Sequence, residues 1–219
     1  MKKIFGVTLS LCLAFATTCT AAFHYEGKQL RAESDYGAFV YRYPILTGDT
    51  AQEGAIAAKV NGQLRALAQK EGQALSESWN AKTPGFKAKD VDFNVTYLGE
   101  KLFSINFTQT FAQGEKEPLL FKDGWTFDLT KGESVSWRDL LRSEDKPKAT
   151  ESALLHQLHK GYKNNEFAIY WGLDSLKGYG KNYYVDSQGA IHLQFNPYEI
   201  GPAKSGVIDL DIQCQAALQ

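Results

Sequence analysis

The 219 residues carry 24 lysines and arginines against 25 aspartates and glutamates, a formal net charge of −1. So even a balance gives no global reason to expect nucleic acid or an anionic membrane surface as partner. The length holds one generous domain or two small ones, and 43% hydrophobic residues are enough to bury a core.

Met1-Lys2-Lys3 precedes the apolar run IFGVTLSLCLAFA and small residues ending at Thr20-Ala21-Ala22. This is the pattern of a signal peptide over residues 1–22, cleaved after Ala22, and it implies a periplasmic or secreted protein. The apolar core is shorter than the ~20 residues of a membrane span, so an uncleaved anchor is the lesser alternative. Lipidation at Cys19 is weaker still, since Ala16-Thr17-Thr18 match a lipoprotein signal poorly. Cleavage removes Cys12 and Cys19 and leaves Cys214 without an internal partner. It reads as a buried small residue, with an intermolecular bond as the other option.

Phe23 to Arg31 and Gly37 to Leu46 are strand-like, and Pro44 points to an edge or a strand end. The spacing then predicts a long helix over about 50–79. Ile56, Val60, Leu64 and Leu67 share a stripe, and Thr50 with Glu53 forms a capping box. Glu71 falls inside that stripe, as expected where a helix runs past its sheet. After a loop over Lys82 to Lys89, Val91, Phe93, Val95 and Tyr97 alternate with polar residues, and so do Phe103, Ile105 and Phe107. This predicts a hairpin with one apolar and one polar face, the apolar one lying on the helix. Trp125 to Leu129 is a further strand. A second helix over about 148–162 carries Leu154, Leu155, Leu158 and Tyr162 on one stripe.

Several groups invite chemistry. His156 and His159 have the i, i+3 spacing of zinc ligands but lack a third, and read as a solvated helix face. Asp209 and Asp211 share one face of the last strand. They suit either a glycosidase pair or an edge that resists pairing, and the second is preferred. Tyr170, Trp171, Tyr183 and Tyr184 stand among Gly172, Gly178 and Gly180, a composition that suits a stacking platform or a protein anchor as well as a core. There is no G-x-S-x-G elbow, H-E-x-x-H, P-loop or dinucleotide fingerprint, and the four histidines form no cluster with a nucleophile by spacing. No catalytic residue, metal or cofactor is assigned.

The strand Ala190 to Phe195, the loop Asn196-Pro197-Tyr198-Glu199-Ile200-Gly201-Pro202 and the strand Gly206 to Ile212 resemble the end of the extracytoplasmic domain shared by RsiV-type anti-sigma factors and PdaC-type peptidoglycan deacetylases. Tyr43 to Leu46, Asn61, the hairpin and the run Trp125 to Leu141 agree in order. The resemblance implies an α+β fold with an antiparallel sheet packed by the two helices. It also implies an N-terminal PdaC-like subregion (23–132) and a C-terminal RsiV-like one (133–219). Relatives either sense lysozyme by binding it or accompany a deacetylase domain. Here only three residues precede the apolar segment and the chain ends shortly after Ile212, so neither role transfers whole.

The expectation is an exported, non-catalytic binding domain of the bacterial cell envelope that recognises a protein (lysozyme-like) or glycan partner. Its contact residues are Tyr170, Trp171, Tyr183, Asn196, Pro197, Tyr198 and Glu199. The alternatives are an envelope enzyme acting on peptidoglycan through Glu199, Asp209 or Asp211, and a self-associating structural protein. The oligomeric state stays open.

Overall fold

The computed structural model describes residues 23–79, 85–114, 117–178 and 180–217. The signal peptide expected over residues 1–22, part of the loop after the long helix, and Tyr179 lie outside the described residues. In chain order the elements are β1 (Phe23–Ser34), β2 (Gly37–Gly48), α1 (Ala51–Glu77), β3 (Lys87–Leu98), β4 (Leu102–Gln113), β5 (Leu119–Asp128), β6 (Glu133–Ser134), α2 (Glu151–Lys163), β7 (Tyr183–Val185), β8 (Ala190–Phe195) and β9 (Ile208–Gln215). Strands β1 to β6 form one sheet in chain order, and β7 to β9 form another. The fold is α+β, with sheets packed by helices.

Two compact units result. One comprises the described residues up to Phe93 with Thr108–Leu119 and Leu129–Glu133; the other comprises Asn94–Phe107, Leu120–Asp128 and the described residues from Ser134 on. Strands β3, β4 and β5 give residues to both, so the units interleave along the chain, whereas the sequence suggests a single boundary near Gly132.

In the first unit, β1 and β2 pair antiparallel over their whole length, from Phe23 opposite Gly48 to Ser34 opposite Gly37. Helix α1 begins at the expected capping box, with Thr50 and Glu53 each satisfying the other's backbone N–H. Its buried stripe is Ala57, Val60, Leu64, Ala68 and Leu75. Ile56 and Leu67, expected there, flank it half-buried. Facing strand β2 supplies Phe39, Tyr41 and Tyr43, whose rings follow one another at 6.0 and 6.3 Å. The helix returns the chain so that β3 pairs parallel to β2, Gly37 to Tyr41 against Lys87 to Val91. The expected all-antiparallel sheet is therefore mixed, because a helix of this length is a crossover and not a turn. Pro44 lies beyond that parallel stretch, where its missing N–H costs no ladder bond. Farther along the same edge, Asn61 of α1 accepts from the Leu46 N–H and donates to the Leu46 carbonyl, both at 2.8 Å. Glu71 is not a residue past the edge of the sheet: it is ion-paired with the largely buried Lys89 of β3.

In the second unit, α2 starts at Thr150, whose hydroxyl accepts from the Ala153 N–H, and turns Leu154, Leu158 and Gly161 inward. Tyr162, expected on the stripe, is 47% exposed. The core joins these to Val185, Ile191, Leu193, Phe195, Ile208, Leu210 and Ile212 of the small sheet. Strand β4 departs from the expected amphipathic hairpin, because Leu102 to Phe107 are buried on both faces. Phe103 stacks on Phe127. Ser104 lies 2.9 Å from the Thr126 hydroxyl and accepts the Val185 N–H at 2.9 Å, so its polar side is covered and satisfied. Cys214 is fully buried, and burial pushes its thiol up to about 11. Within this fold it is not presented to a second chain.

Candidate functional site

Two asparagines grip strand β5: Asn196, at the start of the C-terminal loop, and Asn182, just before β7. Asn196 accepts the Lys122 N–H at 2.7 Å and donates to the Lys122 carbonyl at 2.9 Å. Asn182 accepts the Gly124 N–H at 2.6 Å and donates to the same Lys122 carbonyl at 2.7 Å. Glu199 folds back to accept the Asn196 N–H at 2.8 Å, while its own N–H donates to the Asn196 carbonyl. Burial, with Asp123 nearby, raises the Glu199 carboxyl above its ordinary value despite that hydrogen bond. Pro197 is buried. Three of the four loop residues singled out from sequence thus build the loop.

The fourth is presented by it. Tyr198 adopts φ +72, a left-handed conformation that a bulky residue rarely takes, and its side chain is 59% exposed. Beside it runs the segment from Phe167 to Leu173. Tyr170 N–H donates to the Ile200 carbonyl at 2.9 Å, and the Ser205 hydroxyl accepts from the Ala168 N–H and donates to the Ala168 carbonyl. Gly201 is required here, since a Cβ would sit 2.3 Å from the Ala168 carbonyl oxygen. Laced together, the loops expose Tyr170 (44%), Trp171 (99%) and Tyr198. A cavity of about 330 Å³ lies where Ala168 meets Ser205, lined also by Tyr162, Asn165, Phe167 and Lys204, and the three exposed aromatics do not line it.

Tyr183 has a different place. It is 4% exposed and donates its hydroxyl to the Val135 carbonyl, and burial raises that hydroxyl well above its usual range. It packs in the core and belongs to no exposed surface. Of the seven residues read from sequence, the structure brings Tyr170, Trp171 and Tyr198 to the surface in adjoining loops and places Asn196, Pro197 and Glu199 beneath as support.

Two crystal structures share this arrangement of elements. One is a member of the DUF3298 family from Bacteroides fragilis, 14% identical over 88% of this chain and 90% of that one, with a TM-score of 0.53. The other is a DUF3298 family protein from Pseudomonas aeruginosa, 12% identical over 89% and 91%, with a TM-score of 0.55. The chain has the DUF3298 fold. No family model and no curated protein matches the sequence.

Within the DUF3298 fold a second polar group stands out that the sequence reading did not assemble. On the outer face of the small sheet, His192 Nδ1 lies 2.9 Å from Asp209 and Nε2 3.4 Å from Asp186. Tyr184 stacks on the imidazole at 4.8 Å and donates to Asp209 at 3.1 Å, and Gln194 donates to Asp209 at 3.2 Å. The Asp209 hydrogen bond and the three aspartate charges raise His192 above its ordinary value against partial burial. Burial pushes Asp209 up, but His192, Gln194 and Tyr184 outweigh it and hold the carboxyl below its usual value. A signal for this group was present, since Tyr184, His192, Gln194, Asp209 and Asp211 all occupy outward positions of alternating strands. His156 is exposed on α2, and His159 bonds the Leu173 carbonyl at 2.9 Å.

Proposed function

We propose that this protein is an exported, non-catalytic binding domain of the bacterial cell envelope, which recognises a protein of lysozyme type or a glycan through Tyr170, Trp171 and Tyr198. The observation that carries the reading is Trp171, 99% exposed on a segment hydrogen-bonded to the loop that holds Tyr198 in left-handed backbone. A large aromatic left wholly in water costs solvation free energy with no return to the fold. Exposed aromatics on a fixed base are the usual anchors of protein interfaces and sugar-stacking sites. Backbone strain at an exposed side chain points the same way. The apolar segment at the N-terminus and the sequence resemblance to RsiV-type and PdaC-type domains support the location and the partner class.

Calorimetric titration of the chain from Phe23 onward with c-type lysozyme, and separately with soluble muropeptides, tests the reading. Binding to one of them is expected, weakened at least about tenfold in the Trp171→Ala, Tyr198→Ala double variant. Unchanged affinity in a variant that melts like the parent rules this surface out.

A further inference from the structure

In the second unit, the start of α2 and the segment leading to β7 border a cavity of about 270 Å³. At the ~30 Å³ that a water takes in the liquid this is roughly nine waters' worth of space, room for a small molecule and not for a length of chain. Its floor is apolar, made by the buried side chains of Trp137, Leu154, Leu176 and Leu193. Its rim is charged. Arg138, Lys177 and Lys181 stand exposed around it, with Glu151 as the one carboxylate among the described lining residues.

These charges do not cancel. Glu151 spends one oxygen on the wall of the cavity, accepting the Leu176 N–H at 2.5 Å and the Ser175 hydroxyl at 2.8 Å. Those bonds, with Arg138 and Lys177 nearby, hold its carboxyl below the usual value, so it is ionised in neutral solution and offsets one of the three cations. Among the described residues no ion pair or side-chain hydrogen bond engages Arg138, Lys177 or Lys181. Arg138 is nevertheless held in place, its guanidinium carbon 4.3 Å from the centroid of the Trp137 ring, and that indole is fixed in turn by its N–H bond to the Gly180 carbonyl at 2.8 Å. An aromatic face attracts a cation without neutralising it, and the N–H donors of the guanidinium stay open to a ligand.

We propose that this cavity binds a small organic carboxylate, its oxyanion taken by Arg138 with Lys177 and Lys181 alongside, and its apolar body lying on Leu154, Leu176 and Leu193. The two halves of the lining select for the two halves of such a ligand. A neutral molecule leaves the excess positive charge unmet, and a bare inorganic anion leaves the apolar floor uncovered. The guanidinium fork matches the two oxygens of a carboxylate, which a point charge does not. The first turn of α2, which brings Glu151 and Leu154 to the cavity, adds partial positive charge of its own. None of Tyr170, Trp171 and Tyr198 lines this cavity, so the site does not depend on the aromatic surface.

The test is titration of the chain from Phe23 with benzoate and, separately, with acetate, inorganic phosphate and benzyl alcohol, at low salt and about pH 7. The indole N–H signal of Trp137 in nitrogen–proton correlation NMR reports occupancy from the cavity floor. A saturable shift with benzoate is expected, with acetate and phosphate at least about fivefold weaker and benzyl alcohol without effect. Arg138→Gln, an exposed change, should weaken benzoate at least about tenfold, and Arg138→Lys should recover only part of that loss because an ammonium lacks the fork. Lys177→Gln should weaken it about threefold. No saturable response to benzoate overturns the inference, as does unchanged affinity in an Arg138→Gln variant that melts like the parent. Phosphate binding as tightly as benzoate overturns the assignment to an organic acid, and benzyl alcohol doing so overturns the role of the charged rim.

Discussion

Tyr198 pays in backbone strain for the exposure of its ring. A non-glycine residue in left-handed conformation costs about 1 kcal/mol or more, and no buried contact of an exposed ring offsets it. Tyr198→Gly should therefore raise stability by about 1 kcal/mol in urea denaturation while weakening partner binding. A variant both less stable and weaker in binding would show that the ring is structural. Asn196 predicts the reverse. Asn196→Ala removes two hydrogen bonds to Lys122, and the same urea titration should show a loss of about 2 kcal/mol. Its effect on binding should follow from disorder of the loop, not from loss of a contact.

At the scale of elements, α1 is fixed by its cap, by its stripe and by the Asn61 bracket on β2. Thr50→Ala should cost about 1 kcal/mol. Asn61→Leu should cost more, about 2 kcal/mol, because it leaves the N–H and carbonyl of the buried Leu46 without their partner. Thermal melts of the two variants order these losses. The contrast also marks what the sequence makes legible. The start of α1, its approximate end, the second helix and most strands are set by neighbours in the chain, and the sequence shows them to within a few residues, whereas β7 lies in a stretch that reads as a glycine-bent loop and β5 begins at Leu119, ahead of the expected Trp125. The parallel pairing of β2 with β3 and the burial of both faces of β4 depend on distant partners. Ser104 reads as an outward residue until Val185, far along the chain, covers it. The same reason governs the candidate site. Trp171 and Tyr198 are exposed, as a contact surface requires, whereas Asn196 reads as a ligand contact because the strand it grips, at Lys122, is remote in sequence, and Glu199 because its own partner, the Asn196 N–H, is met only in the folded turn. Asp209 stands out beside Asp211 in the sequence, but its pairing with His192 does not, because their meeting requires the β8 to β9 register.

For the whole molecule, the His192 cluster ties stability to pH. Its proton is held more tightly in the folded chain than at the ordinary value near 6.5. The stabilisation is therefore complete below about pH 6.5 and is lost as pH rises through the raised folded value. Asp209 acts in the opposite range, its contribution lost as pH falls through a value below the ordinary carboxylate one. Melting temperatures measured from acid to alkaline pH should fall on the alkaline side of the His192 titration, and His192→Gln should flatten that limb. The double asparagine clamp has a further consequence for how the molecule can be watched. The amides of Lys122 and Gly124 lie in a strand, yet side chains of Asn196 and Asn182 hold them. Exchange of the Lys122 amide with deuterium therefore times the release of the C-terminal loop, and that of Gly124 the release of the segment before β7, rather than the parting of strands. A partner that grips Tyr198 and steadies this loop should slow the Lys122 amide more than the Gly124 amide, so that the second serves as an adjacent reference for the first inside the protein.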